Sequence, residues 1–175
     1  MYSTIKEDAK ELLKKVDAKK ISITRTKLSD KIDIRVLRAL NNSILETQIN
    51  GENALYFSGK ILGEELVQNY DGKFMAKREV LAFLKDLFKK LMLGILKETE
   101  EENIIKVDEC AFCRGRNKWP SDKEKKCYFL AGFISGVFSE ALNQPCAVKE
   151  ISCRYNGDPY CVFEIIFSSD EVLKS

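Results

Sequence analysis

The apolar positions of this 175-residue chain change their period several times, and each change marks an element. Behind the capping-box spacing Thr4-x-x-Glu7, Ile5, Ala9, Leu12, Leu13 and Val16 recur at helical intervals and predict a short amphipathic helix that opens the fold. Ile34, Leu37, Leu40, Ile44 and Leu45 predict a second helix, and Leu55, Leu62 and Leu66 a third within NALYFSGKILGEELVQ. Gly59 and Gly63 lie four apart on that third helix, a spacing that suits close helix packing or leaves space for a ligand or partner. The strongest pattern, REVLAFLKDLFKKLMLG, sets Val80, Phe83, Leu84, Leu87, Phe88 and Leu91 in one wide stripe opposite Lys85, Asp86, Lys89 and Lys90. Gly94 follows as its expected C-cap.

The period then falls to two. ILKETEEENIIKVDECAF predicts two strands joined near Glu101-Glu102-Asn103, with Ile105 and Val107 alternating as a half-buried strand requires. RGRNKWPSDKEKK, with six basic and two acidic residues, reads as a solvated loop. CYFLAGFISGVFSEAL runs thirteen residues from Cys127 without a charge, too short to span a bilayer, and predicts a fully buried central helix. Gly132 and Gly136 again lie four apart. Bulky side chains there would each gain about 1.5–3 kcal/mol from burial, so we expect the space to hold a small hydrophobic molecule between this helix and the sheet. CAVKEISCRYN and YCVFEIIF close the chain as a hairpin, with Gly157 supplying the turn. The order predicts an α+β fold, an antiparallel sheet covered by helices, in a single domain over 1–175 whose residues 1–33 are an N-terminal helix and lead-in.

Composition narrows the function. Net charge is only +2, which argues against a dedicated nucleic-acid partner. The charged N-terminus lacks the apolar core of a signal peptide, and no stretch suits a membrane span. We therefore expect a cytoplasmic protein with neither nucleic-acid nor membrane partners. Abundant Lys, Glu and Ile with few Gln hint at a thermophilic source. The chain has no histidine, which removes Ser-His and Cys-His nucleophile pairs, imidazole acid–base chemistry and His-bearing catalytic zinc sites. We expect no enzyme.

Six cysteines remain as candidate chemistry. Cys153 and Cys161 stand equally far from Gly157, close to direct cross-strand neighbours, a placement open to metal, to core thiols or to a disulfide. Cys127 opens the buried helix, and Glu150 precedes Cys153 by three. Strand parity puts Glu150 and Cys153 on opposite faces, so both reach one ion only across a bulge. Cys110 and Cys113, in C-x2-C spacing, offer an alternative all-thiolate set with the hairpin pair. As a redox pair they are ill placed, since they end a strand and enter a polar loop rather than open a helix.

Residues Cys127 to Phe163, with C-x4-G-x3-G, Glu150-x2-Cys153 and Gly157-Asp158-Pro159-x-Cys161-x-Phe163, resemble the 4-vinyl reductase domain family, and ALYFSGKILGEEL extends the resemblance over roughly residues 34–167. The resemblance implies a fold shared with Golgi-transport tethering subunits and nitric-oxide-signalling ligand-binding domains, a hydrophobic pocket between sheet and helices, and a homodimer. Haem is excluded by the lack of a proximal histidine. The three-cysteine, one-glutamate zinc pattern of the family's phenol-responsive sensor domains maps onto Cys127, Glu150, Cys153 and Cys161, and implies that Cys110 and Cys113 are outside the site. We expect this closed structural zinc, of net charge −2 with its ligands, to have Lys126, Lys149 and Arg154 beside it in sequence. The expected pocket residues are Phe83, Leu87, Ile105, Val107, Ala131 and Val148. The function expected is that of a stand-alone sensor or carrier of a small hydrophobic, aromatic or lipid-like molecule; the alternative is a dimeric assembly adaptor without a ligand.

Overall fold

The computed structural model describes residues 33–47, 49–113 and 127–168; the expected N-terminal helix and the polar loop after Cys113, Lys126 included, lie outside the described residues. The chain divides into two compact units after Val36. Of the first, Asp33–Val36 are described: the Asp33 carboxylate accepts the Arg35 N–H at 2.8 Å, and its carbonyl the Val36 N–H at 2.9 Å, which caps the start of helix α1 (Ile34–Thr47). The second unit continues through α2 (Gly51–Gln68), α3 (Lys77–Lys90), β1 (Ile95–Glu98), β2 (Ile104–Asp108), α4 (Tyr128–Leu142), β3 (Cys146–Ser152) and β4 (Cys161–Phe167).

The four strands form one antiparallel sheet in the order β1-β2-β4-β3. Its alternation is strict. Ile105 and Val107 of β2, Cys161, Phe163, Ile165 and Phe167 of β4, and Cys146, Val148 and Glu150 of β3 are all buried, while Lys106, Ala147 and Lys149 face out. Helix α4 lies against the buried face, and every residue from Leu130 to Phe138 is buried, as a helix with no polar side must be. α3 adds Val80, Leu84 and Phe88, all fully buried, from its stripe.

Two expectations change. α3 ends at Lys90, well before Gly94: Met92 takes the left-handed position at φ +57, and the Leu93 N–H reaches the Phe88 carbonyl at 2.9 Å, a Schellman closure made without glycine. Gly94 instead carries φ +144 into β1, where a Cβ would meet the Asp108 carbonyl at 2.8 Å. The space beside Gly132 and Gly136 is also not a cavity. A Cβ on Gly132 would collide with the Tyr56 carbonyl oxygen, and one on Gly136 with that of Lys60. Gly59 and Gly63 of α2 reciprocate against the Phe129 and Phe133 carbonyl oxygens. Two G-x3-G faces thus bring α2 and α4 into backbone contact along parallel helices, which fills the room expected for a ligand.

Candidate metal centre

The ends of β2, α4 and β3 and the start of β4 meet at one corner of the unit, and each delivers sulfur. Cys110 and Cys113 lie on the loop leaving β2. That loop is pinned by the Ala111 N–H on the Leu93 carbonyl, 2.9 Å, by Arg38 Nε of α1 on the Ala111 carbonyl, 2.9 Å, and by the Phe112 ring 5.0 Å from Phe129. Cys127 precedes the first residue of α4. In β3, Glu150 pairs with Phe163 but Ser152 already pairs with Val162, so Ile151 is the extra residue of a bulge and turns outward. That bulge meets the parity condition and brings Glu150 and Cys153 to the same buried side. Beyond it the Cys153 N–H donates to Asp158 Oδ2 at 2.9 Å, a 3-10 turn covers Arg154–Asn156, and Gly157 takes φ +106. Cys161 opens β4 opposite Val107.

All six cysteines are free thiols, and five of them converge. Sγ–Sγ separations are 3.2 Å for Cys113–Cys127 and Cys113–Cys161, 3.5 Å for Cys110–Cys127, 3.6 Å for Cys113–Cys153, 3.8 Å for Cys127–Cys153 and Cys127–Cys161, and 4.0 Å for Cys153–Cys161. None approaches the roughly 2.05 Å of a disulfide. The Cys127 N–H donates to Glu150 Oε2 at 2.5 Å, and Glu150 Oε1 is buried without a partner. Burial pushes the Glu150 carboxyl up to about 10, with Cys153 adding to the rise and the Cys127 N–H opposing it. The thiols are split by their mutual hydrogen bonds: Cys110 raises Cys113 and Cys127, while Cys113 lowers Cys110 and Cys153. Cys146, at the far end of β3, takes no part; burial pushes it up to about 12.

An orphaned carboxylate oxygen and five crowded thiols fit a cation. Two groups of four donors, Cys110, Cys113, Cys127 and Cys161 on one side and Cys127, Glu150, Cys153 and Cys161 on the other, each fall within 4.8 Å of one another. The buried corner could hold a metal ion. Cys110 and Cys113, expected outside the site, are part of this corner, and their C-x2-C spacing is the signal for it. Of the cations expected nearby, Arg154 Nη1 lies 3.6 Å from Asp108 Oδ1 and Lys149 is exposed.

The six expected pocket residues do not share one cavity. Ala131 and Val148 line a recess of about 470 Å³ between α2, α4 and β3, together with Tyr56, Phe57 and Glu150. Ile105 lines a separate recess of about 310 Å³. Phe83 instead packs on Tyr70 and Phe74, with ring centres 4.7 and 5.2 Å away, and Leu87 and Val107 are core. Tyr56 and Phe57 escape a reading of the sequence because their helix gives a weak periodic signal.

Comparison with known proteins agrees with this geometry. The model of the 4-vinyl reductase domain family matches residues 103–167. An uncharacterised protein of Methanocaldococcus jannaschii is 39% identical over 83 residues, 47% of this chain and 44% of that relative's own length. A second from the same organism is 25% identical over 166 residues, 93% of this chain and 88% of the relative. Three crystal structures share the fold: a vinyl-4-reductase family protein from Methanocaldococcus jannaschii (TM-score 0.54, 22% identity, 81% of this chain and 85% of that one), the phenol-responsive sensory domain of the transcription activator PoxR with phenol (0.56, 13%, 77% and 74%), and trafficking protein particle complex subunit 3 from Naegleria fowleri covalently bound to palmitic acid (0.59, 12%, 77% and 95%). No helix among the described residues is long and apolar enough to cross a membrane. With β2, α4 and the whole cysteine-bearing hairpin inside the matched segment, the resemblance is shown, and the chain carries the 4-vinyl reductase domain over residues 103–167.

Proposed function

We propose that this protein binds a small hydrophobic molecule, aromatic or lipid-like, and that a structural zinc clamps its C-terminal hairpin to α4. The observation that carries the reading is the convergence of five thiols and a carboxylate, from four separate chain segments, at one buried corner. Unpaired polar groups in such a place are costly, and a bound cation removes the cost. The ligand set implied by the family resemblance, Cys127, Glu150, Cys153 and Cys161, has four protein donors and leaves no open position for water, so the metal's role is to hold the fold, not to catalyse. The recess beside it supports the ligand half of the reading. Its volume of about 470 Å³ suits a small molecule, and Tyr56, Phe57, Ala131 and Val148 give it apolar walls. The fold-mates that hold phenol and palmitic acid support the same class of ligand. We place the protein in the cytoplasm as a homodimer.

A second reading, a dimeric assembly adaptor without ligand, is favoured by the backbone-to-backbone seam of α2 and α4, which leaves no interior cavity where one was expected. Native mass spectrometry of the full chain tests both. Mass for one zinc and one small molecule per chain supports the first reading; a dimer with metal and no ligand, unable to take up an apolar fluorescent probe, supports the second.

A further inference from the structure

The metal reading needs four donors, but the corner holds six, and the choice among them fixes what the other two do. Cys127, Cys153 and Cys161 form a triangle with edges of 3.8, 3.8 and 4.0 Å. Cys113 Sγ stands over it, 3.2 Å from Cys127, 3.6 Å from Cys153 and 3.2 Å from Cys161. These four sulfurs close a tetrahedron. Zinc–thiolate bonds of about 2.3 Å correspond to sulfur–sulfur edges of about 3.8 Å, so a small outward adjustment of Cys113 admits a single ion at the centre.

Glu150 is already engaged. Its Oε2 holds the backbone N–H of Cys127, the kind of support that fixes the position of a metal-bearing residue. Cys110, 3.5 Å from Cys127 Sγ, is placed to donate its S–H to the same sulfur. The chemistry favours the same division, because thiolate outcompetes carboxylate for zinc and similar thiophilic ions. The unpartnered Oε1 of Glu150 is the rival fourth donor. Formal charge does not separate the two sets, since four thiolates or three thiolates and a carboxylate around a divalent cation both sum to −2.

We propose that Cys113 is the fourth ligand, giving an all-thiolate site of Cys113, Cys127, Cys153 and Cys161 for one tetrahedral divalent ion, with Glu150 and Cys110 as supports of Cys127. This assignment rests on the metal reading above and replaces the carboxylate in it. It also leaves Glu150, which lines the recess shared with Ala131 and Val148, as a polar group between metal and ligand site.

X-ray absorption at the zinc edge of the zinc-loaded full chain counts the ligands without any substitution: four sulfurs are expected, and three sulfurs with one oxygen overturn the assignment while leaving the metal reading intact. Cys113→Ser lowers the sulfur number to three and zinc affinity at least tenfold, whereas Glu150→Gln keeps four sulfurs and stoichiometric zinc. Zinc lost from Glu150→Gln but retained by Cys113→Ser overturns the assignment in favour of the carboxylate. Four sulfurs with Cys113→Ser unchanged overturn it in favour of Cys110. A wild-type chain that takes up no zinc defeats the metal reading itself, and this assignment with it.

Discussion

The α2–α4 seam and the cysteine corner are both built from unusual residues at regular spacing, yet they work in opposite ways. Along the seam, four glycines remove side chains so that carbonyls of one helix sit where the Cβ atoms of the other would be. Nothing but backbone fits there. At the corner, side chains from four segments crowd together with more donor capacity than they can satisfy among themselves, down to a carboxylate oxygen with no partner. Small residues at a four-residue interval therefore signal close approach rather than room, whereas an excess of unsatisfied donors signals something still to be bound.

The largest expected effect sharpens the corner. Chelating the metal from the full chain, or replacing Cys161 by Ser, removes binding energy that is also folding energy and lowers thermal stability by several kcal/mol. Cys146→Ser, outside the cluster, leaves metal content unchanged; a thermal scan with parallel zinc analysis distinguishes them. The next effect would break the seam. Gly132→Ala places a Cβ against the Tyr56 carbonyl, which cannot swing aside, and is expected to cost about 3 kcal/mol in denaturant unfolding with zinc still bound. An unchanged midpoint would mean that the helices are not in backbone contact.

A smaller effect separates seam from recess. Val148→Phe adds volume where about 470 Å³ stands open, so it should abolish uptake of an apolar fluorescent probe while changing stability by less than about 1.5 kcal/mol. Loss of probe binding without loss of fold locates the ligand site at the recess. The smallest effect is at the hairpin turn. Gly157→Ala meets no neighbour within 4 Å but must hold φ +106, and is expected to cost about 1 kcal/mol with metal retained.

Much of this is legible in the chain. Alternation at Ile105, Val107 and along YCVFEIIF marks the strands, and the charge-free run from Cys127 marks the central helix, because burial on one face or on all faces leaves a periodic trace. The bulge can be inferred as a condition, since Glu150 and Cys153 share a side only with one extra residue between them. The seam is not legible, because a glycine looks the same whether it faces a ligand or another backbone. Nor is the place of Cys113: the family pattern carries no equivalent for it, and its approach to Cys161, 48 positions away, depends on the loop pinned by Arg38 and Leu93. The end of α3 differs from expectation because Met92 adopts a left-handed angle that sequence assigns to Gly94.

The central claim is that the cysteine corner is a metal centre. Metal analysis by mass spectrometry of the full chain, purified without chelators, tests it most directly. One tightly held zinc per chain, released together with the appearance of reactive thiols on denaturation, is the expected result. A metal-free protein whose five clustered thiols all stay protonated, and whose melting temperature does not move when zinc is added, would contradict the account.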